Sequence, residues 1–501
     1  PNHPLMNDDP LAHFKDREEA IRAFDNLWNN NNHNWILAFD GFSGHGKTTL
    51  INWLIRNRCH RDGIPYALIG FENEACCTQY KAVLDGLFEH EGLLKHIPRE
   101  AWRVYRRACD EIMEKCQQQR ASIQINMDMK DASGSQQDIT LELAKTFQTI
   151  DRQARDRIGN AWLDCVESIQ SQIIVFFLDT FERFQDSAEE GDRGWLWTTL
   201  QRAHAHQPGL RVVVGSQEPL KNVERDLLQE NLEPFNDYFS NELLLSLGVS
   251  DARYREAVFN KLAHGHPQVT RMAAEYWLAS DANHRPAAGQ IPHIAELKDS
   301  ILWVHNRIID RLKEPLKTAL RWAALLRAIN LDILMATLPP DEDGQLRRLS
   351  ADQFAKLTGY SFVNRNDGRW SCHRLVRQAQ SSYLRQMQPE AYSAFHQRAA
   401  DYFEKKNEKL EALYHRFFCE PAAAFAEWQK LEDFADDHYD RAGQTVLFDL
   451  VENSEIELEA KQKGYILACR GNFYYYTSMN APARERYEQA LEIYQSIGAR
   501  L

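Results

Sequence analysis

No stretch of about eighteen apolar residues occurs in this sequence, so no part of it reads as a membrane-spanning helix. The N-terminus, PNHPLMNDDPLAHF, has no basic patch leading into an apolar run, and secretion is not indicated either. Cysteines number nine, an odd count scattered from Cys59 to Cys469 with no CxxC pair. That argues against a disulfide framework or a zinc site and points to a reducing compartment, the cytoplasm. Positive charge is in deficit: 59 Lys and Arg face 72 Asp and Glu, a formal net charge of -13. Non-specific attraction to nucleic-acid backbones or anionic lipid is therefore weak, and neither nucleic acid nor a membrane is an expected partner.

What is present is ordinary globular composition, 44% hydrophobic and 26% charged, over 501 residues. A chain of that length divides into roughly three to five domains. From Trp35 onward short apolar runs alternate with turns and helices: WILAFDG, then IPYALIGF at 64–71, SQIIVFFLD at 171–179, LRVVVGS at 210–216 and ELLLSL at 242–247. Continuous apolar strands of this kind are buried on both faces, which predicts an α/β core with a parallel sheet. A helical insert is expected over about 85–168, with MKDASGSQQD at 129–138 as a loop in its centre. After about residue 250 helical periodicity takes over. Two short strands around Asn366-Asp367-Gly368 then predict a hairpin, and helices followed by a hairpin suggest a winged-helix module. In GYILACRGNFYYYTSMNAPARERYEQALEIYQSIGARL, the residues Leu467, Gly471, Tyr474, Ala483, Tyr487 and Ala490 fall at the small and large positions of a tetratricopeptide unit. Such units need neighbours, so a truncated array is expected. The predicted domains are 1–249 (entry segment 11–35), 250–311, 312–388, a helical arm 389–458, and the start of the array 459–501.

The stretch GFSGHGKTTLINWL at 41–54 fits G-x-x-x-x-G-K-[ST] with Gly41, Gly46, Lys47 and Thr48, after an apolar strand and before a helix, the context this motif requires. Backbone N–H groups from Ser43, Gly44, His45, Gly46 and Thr49 would cradle phosphates. Lys47 would reach the β and γ phosphates, and the Thr48 hydroxyl would ligate Mg²⁺. A carboxylate is then expected at the end of a buried strand. IIVFFLDTFERF supplies Asp179, a partner for Mg²⁺ through water, and Glu182, which could polarise an attacking water. The plainer alternatives are a helix cap for Asp179 and a solvated first-turn acid for Glu182. RAHAHQ at 202–207 places two histidines two apart, which on a helix do not face each other, so no metal site is expected there. No guanine-reading N-K-x-D string occurs.

On these residues the chain resembles the STAND proteins, signal-transduction ATPases related to AAA+ machines, over nearly its whole length. FKDREEAI (14–21) is similar to the family's F-x-x-R-E entry motif, which implies that Phe14 and Arg17 contact the adenine end of a nucleotide. GHP (265–267) is similar to its G-x-P motif, which implies that Pro267 packs near the base. SCHRLVRQ (371–378) is similar to its winged-helix histidine motif, which implies that His373 touches the β phosphate of ADP. A helix start, an ordinary first-turn proline and an unliganded hairpin histidine are the bland alternatives at these three places.

The pattern departs from the family at Thr180, which stands where a second acid is common, and at Cys372, Arg374, Ser216 and Gln217. The resemblance implies an ATP/ADP switch that is a monomer with ADP and an oligomer when activated. Its activating ligand would bind the C-terminal repeats, and slow hydrolysis would reset it. Few residues precede the entry motif, so no N-terminal effector domain is expected. Two other classes remain open: an origin-binding type of AAA+ protein, and a repeat scaffold holding ADP structurally.

Overall fold

The computed structural model describes residues 11, 13–14, 17–27, 34–71, 80–128, 136–187, 190–220, 223, 226–280, 282–341, 343–345, 347–366, 369–438, 440–452, 456–476 and 480–498. The chain forms two compact units interleaved along the sequence. The first takes 1–22, 39–54 and 230–427, and the second takes 23–38, 55–229 and 428–501.

A five-stranded sheet has the order β2-β3-β4-β1-β5, with β1 Ile36–Asp40, β2 Tyr66–Gly70, β3 Ile174–Asp179, β4 Leu210–Ser216 and β5 Leu227–Asn231. β2, β3 and β4 run parallel, with Tyr66 opposite Val175 and Ile174 opposite Leu210. Every residue of β1, β3 and β4 is buried, as their unbroken apolar runs require. The fold is therefore an α/β parallel-sheet core carrying a P-loop sequence, joined to long helical regions.

The sequence reading is wrong about the last strand. ELLLSL lies within the helix Asp237–Ser246 and its C-terminal turn, and β5 is the polar segment LLQEN, half-exposed along its length. The reason is local. The Asn236 side chain caps this helix by accepting from Phe239 N–H at 3.0 Å, and Leu243, Leu244 and Leu247 recur at helical spacing on the buried side. A short apolar run alone does not distinguish the two states.

In the second unit, long helices Arg99–Asp128 and Gln136–Glu167 fill the stretch between β2 and β3. The expected loop at 129–138 lies outside the described residues over 129–135, and 136–138 begin the second of these helices. Trp162 anchors this part by stacking on Phe88, ring centroids 5.1 Å apart. Farther along, helices Ala460–Tyr476 and Asn480–Ser496 form an antiparallel-type pair. A Cβ on Gly471 would come within 2.6 Å of the Tyr487 ring, so the small residue admits the large one across the pair, as repeat packing demands.

In the first unit, helices Asp237–Ser246, Ala252–Val258, Pro267–Leu278 and Leu297–Asp310 precede three further helices, Leu316–Ala323, Leu331–Thr337 and Ala351–Thr358. The antiparallel hairpin β6 Val363–Asn366 and β7 Arg369–Cys372 follows, with Val363 opposite Cys372. Its turn residues Asp367 and Gly368 lie outside the described residues. Ile329 adds a bridge to Trp370.

Candidate functional site

The P-loop runs from the end of β1 into the helix Lys47–Leu54. Gly44 and Gly46 have φ of 82° and 88°, a backbone state that glycine enters at no steric cost. Nothing lies within 4 Å of where a Gly46 Cβ would project, so the loop borders open space at the start of the helix. That loop, the helix's first turn, and the Lys47 and Thr48 side chains fit a phosphate with Mg²⁺. The Lys47 ammonium is buried and donates to the carbonyls of Gly41 and, at 3.1 Å, Phe42.

Three other segments of the first unit converge on this loop. Arg17 is buried; its guanidinium donates to the His45 carbonyl at 2.8 Å and lies over the Phe235 ring, 5.0 Å from its centroid. Phe14 stacks on Trp53 of the P-loop helix at 5.2 Å. His45 Nδ1 donates to the Leu232 carbonyl at 2.8 Å, and burial, with Lys47 and Arg17 nearby, pushes its pKa down. His266 bonds through Nε2 to the Ser43 carbonyl at 3.0 Å, while Pro267 occupies the first turn of the helix Pro267–Leu278.

His373 caps the helix Arg374–Met387 and is fixed by its own N–H, which donates to the Phe362 carbonyl at 2.7 Å. Burial pushes its pKa down to about 4, with His266, Arg377 and Lys47 adding repulsion. His266 and Lys47 are thus electrostatic neighbours of His373. The structure brings Phe14, Arg17, the P-loop and His373 into one unit. Pro267 is there too, but the residue of that motif touching the loop is His266, which the sequence reading passed over. Its signal was available, since a histidine between a glycine and a first-turn proline occupies a helix-capping position.

The two acids belong to the second unit. Asp179 ends β3 buried, accepting from the N–H of Thr180, whose φ is 58°. Phe181 N–H then bonds back to the Gly215 carbonyl at 2.9 Å and fixes the corner. Glu182 is buried rather than solvated, and Gln217 holds both its oxygens: the backbone N–H at 3.1 Å and the side-chain amide at 2.7 Å. Ser216 and Gln217, the places where the family pattern is missing, therefore act on Glu182 and on the turn after β4, Ser216 Oγ accepting from Glu218 N–H.

Next to Glu182, Arg183 donates to the buried Asp449 carboxylate at 2.8 Å, tying the corner after β3 to the helix Arg441–Glu452. Asp449→Ala is expected to cost about 1–3 kcal/mol by urea unfolding. This is below the cost at a fully buried pair, because the Arg183 side chain keeps 23% exposure. Asp449→Asn should cost less.

His204 donates from Nδ1 to the Leu210 carbonyl, and His206 pairs with Glu167. Among the described residues no group of three potential ligands could hold a metal by side chains alone. No helix of the described residues is long and apolar enough to cross a membrane.

No protein-family model and no curated protein matches this sequence. Solved structures do match. A STAND protein with a tetratricopeptide repeat sensor from Pyrococcus horikoshii is 12% identical, with a TM-score of 0.41, over 97% of this chain and 65% of that one. The chain thus spans about two thirds of that protein's length. A Walker-type ATPase of Pyrococcus abyssi is 16% identical over 75% of this chain and 99% of that one, with a TM-score of 0.31. A chain of Drosophila ORC bound to DNA is 14% identical over 74% and 96%, with a TM-score of 0.33.

Proposed function

We propose that this chain is an ATP/ADP-dependent switch of the STAND class, with nucleotide at the P-loop as its latch. The observation that carries this reading is the convergence, on the loop 41–47, of the entry arginine and the GHP corner, two segments far apart in sequence, with His373 in electrostatic range of Lys47. A glycine turn without a ligand would give no reason for a buried guanidinium and a buried imidazole, Arg17 and His266, to gather around it. Lys47 and the loop N–H groups would bind the β and γ phosphates, and Thr48 and Asp179 would hold Mg²⁺. Arg17 and Pro267 belong to the end that receives the base, and His373, on a winged-helix module, would close on the β phosphate of ADP.

The bound Mg²⁺ would supply charge neutralisation for ATP + H₂O → ADP + phosphate. Glu182 would orient the attacking water. Because Gln217 engages both its oxygens, it must be shared or released before it can do so, which favours slow turnover. A nucleotide shifts such an equilibrium only by contacting the two states differently, and His373 supplies that difference. Signal would enter at the C-terminal repeats as an unidentified ligand, and ATP would favour self-association.

The reading is tested by denaturing the purified protein and resolving the released small molecules by ion exchange against adenine and guanine standards. Stoichiometric ADP is expected. Lys47→Ala should lose it, with affinity down about a hundredfold, the worth of a charged hydrogen bond to phosphate. A protein that neither carries nor binds ADP or ATP would sink the proposal.

A further inference from the structure

His266 sits where two backbone segments and a helix end meet. His264 and Gly265 both have positive φ, 47° and 83°, and turn the chain sharply before the helix Pro267–Leu278. Gly265 accepts from Phe235 N–H at 2.8 Å, anchoring that corner to the segment before the helix Asp237–Ser246. The imidazole then works at both nitrogens. Nδ1 accepts from Val269 N–H, capping the helix, which leaves the proton on Nε2 to be donated to the Ser43 carbonyl at 3.0 Å. Burial pushes the His266 pKa down to about 4, so this neutral tautomer persists at ordinary pH.

Gly44 supplies a second and independent observation. A Cβ there would come within 2.4 Å of His266 Cε1, so the ring occupies the volume that any other residue at position 44 would fill. Loop and ring are fitted to each other. On the same loop, two residues on, Arg17 takes the His45 carbonyl, and its guanidinium rests on Phe235, the residue to which Gly265 is bonded. The two carbonyls that flank Gly44, those of Ser43 and His45, are thus both held by side chains from outside the loop.

We infer that His266 is a positioning residue of the P-loop, a brace from the Pro267 helix that fixes the Ser43–Gly44 peptide and so presets the loop for an anionic phosphate. This deepens the nucleotide reading given above and rests on it for the identity of the ligand. The physical argument is preorganisation: a loop already ordered loses less conformational freedom when it binds. The brace also ties the loop to the far end of the same helix. There Glu275, buried and pushed up to about 7 by that burial, accepts from Ser361 N–H at 2.8 Å, directly before the residue whose carbonyl holds His373.

Two variants separate bracing from capping. His266→Asn keeps a good helix cap but is too short to span to Ser43, while His266→Gln retains the reach and is a poor cap. His266→Asn is expected to weaken ADP binding about tenfold, equivalent to about 1.4 kcal/mol, with the thermal midpoint of the nucleotide-free protein nearly unchanged. His266→Gln should bind ADP like the wild type while its midpoint falls. Amide hydrogen exchange of peptides covering 41–47, in nucleotide-free protein, should quicken at least severalfold in His266→Asn and not in His266→Gln. Unchanged exchange in His266→Asn overturns the brace whether or not nucleotide binds. Failure of the wild type to bind ADP or ATP, with exchange responding as expected, overturns the nucleotide reading instead.

Discussion

The first unit is expected to lose stability steeply as pH falls from 7 to 5, with its urea midpoint dropping well before any carboxylate of ordinary pKa is protonated. His266, His305 and His373 are each held near pKa 4, and His415 near 3, by burial. Unfolded histidine titrates near 6.5. On acidification the unfolded chain therefore binds protons that the folded chain refuses, and the stability present above about pH 6.5 is lost on the way to 4. A shift of that size is worth at most about 3 kcal/mol for a deeply buried group such as His305. Its Nδ1 donates to Gln380 at 3.2 Å, and its Nε2 has no partner among the described residues.

His396 and His415 add to the effect, since their Nδ1 atoms share one hydrogen bond at 2.8 Å in which only one ring can donate. Arg377, Arg321 and Arg327 repel a proton on His373, His305 and His415 respectively. Glu275 works in the opposite sense: its raised pKa favours the folded state as pH falls from about 7 toward 4.5, but it is one group against several. His305→Leu should lower stability at pH 7 and flatten the pH dependence by about one proton. A midpoint that stays constant from pH 7 to 5 would show that these histidines take up protons without opening the core.

How much of this was legible in the sequence follows the distance over which each feature is written. The P-loop, the buried strands β1 to β4, the hairpin and the helix pair at 460–496 are encoded in consecutive residues, through apolar runs, turn chemistry and small-large spacing. β5 was invisible because LLQEN is a half-exposed edge whose strand state comes from its neighbour in the sheet. The helix at 237–246 was misread because four leucines in six residues satisfy either period, and the cap that decides the matter is Asn236, just outside the run. Within the candidate site, Lys47 and His373 are named by motif alone. The bonds beside them, Arg17 to His45 and His266 to Ser43, join residues 28 and 223 positions apart, and in the second unit Gln217 reaches Glu182 over 35 positions. Such pairings have no local signature, and Gln217 stood out only as the place where a familiar residue was missing.

A large single-residue effect is expected at Gly265, and it follows from geometry alone. Its φ of 83° costs an alanine about 1–2 kcal/mol in backbone strain. In addition, the Cβ would come within 2.0 Å of the Phe235 carbonyl oxygen, a backbone atom that cannot rotate away. Relief requires the segment at 235 to separate from the corner at 265, which breaks the Phe235 N–H bond to the Gly265 carbonyl and displaces His266, the neighbour that braces the loop. Gly265→Ala should therefore cost about 4 kcal/mol or more, in the range where one substitution signals a distinct mechanical cause. Gly289→Ala is the matched control in the same unit, since no atom lies within 4 Å of its would-be Cβ, and it should change stability by less than about 0.5 kcal/mol. Urea unfolding of the two variants decides the point. If Gly265→Ala proves as mild as Gly289→Ala, the 235–265 contact is not a fixed corner, and His266 is then braced from the helix side only.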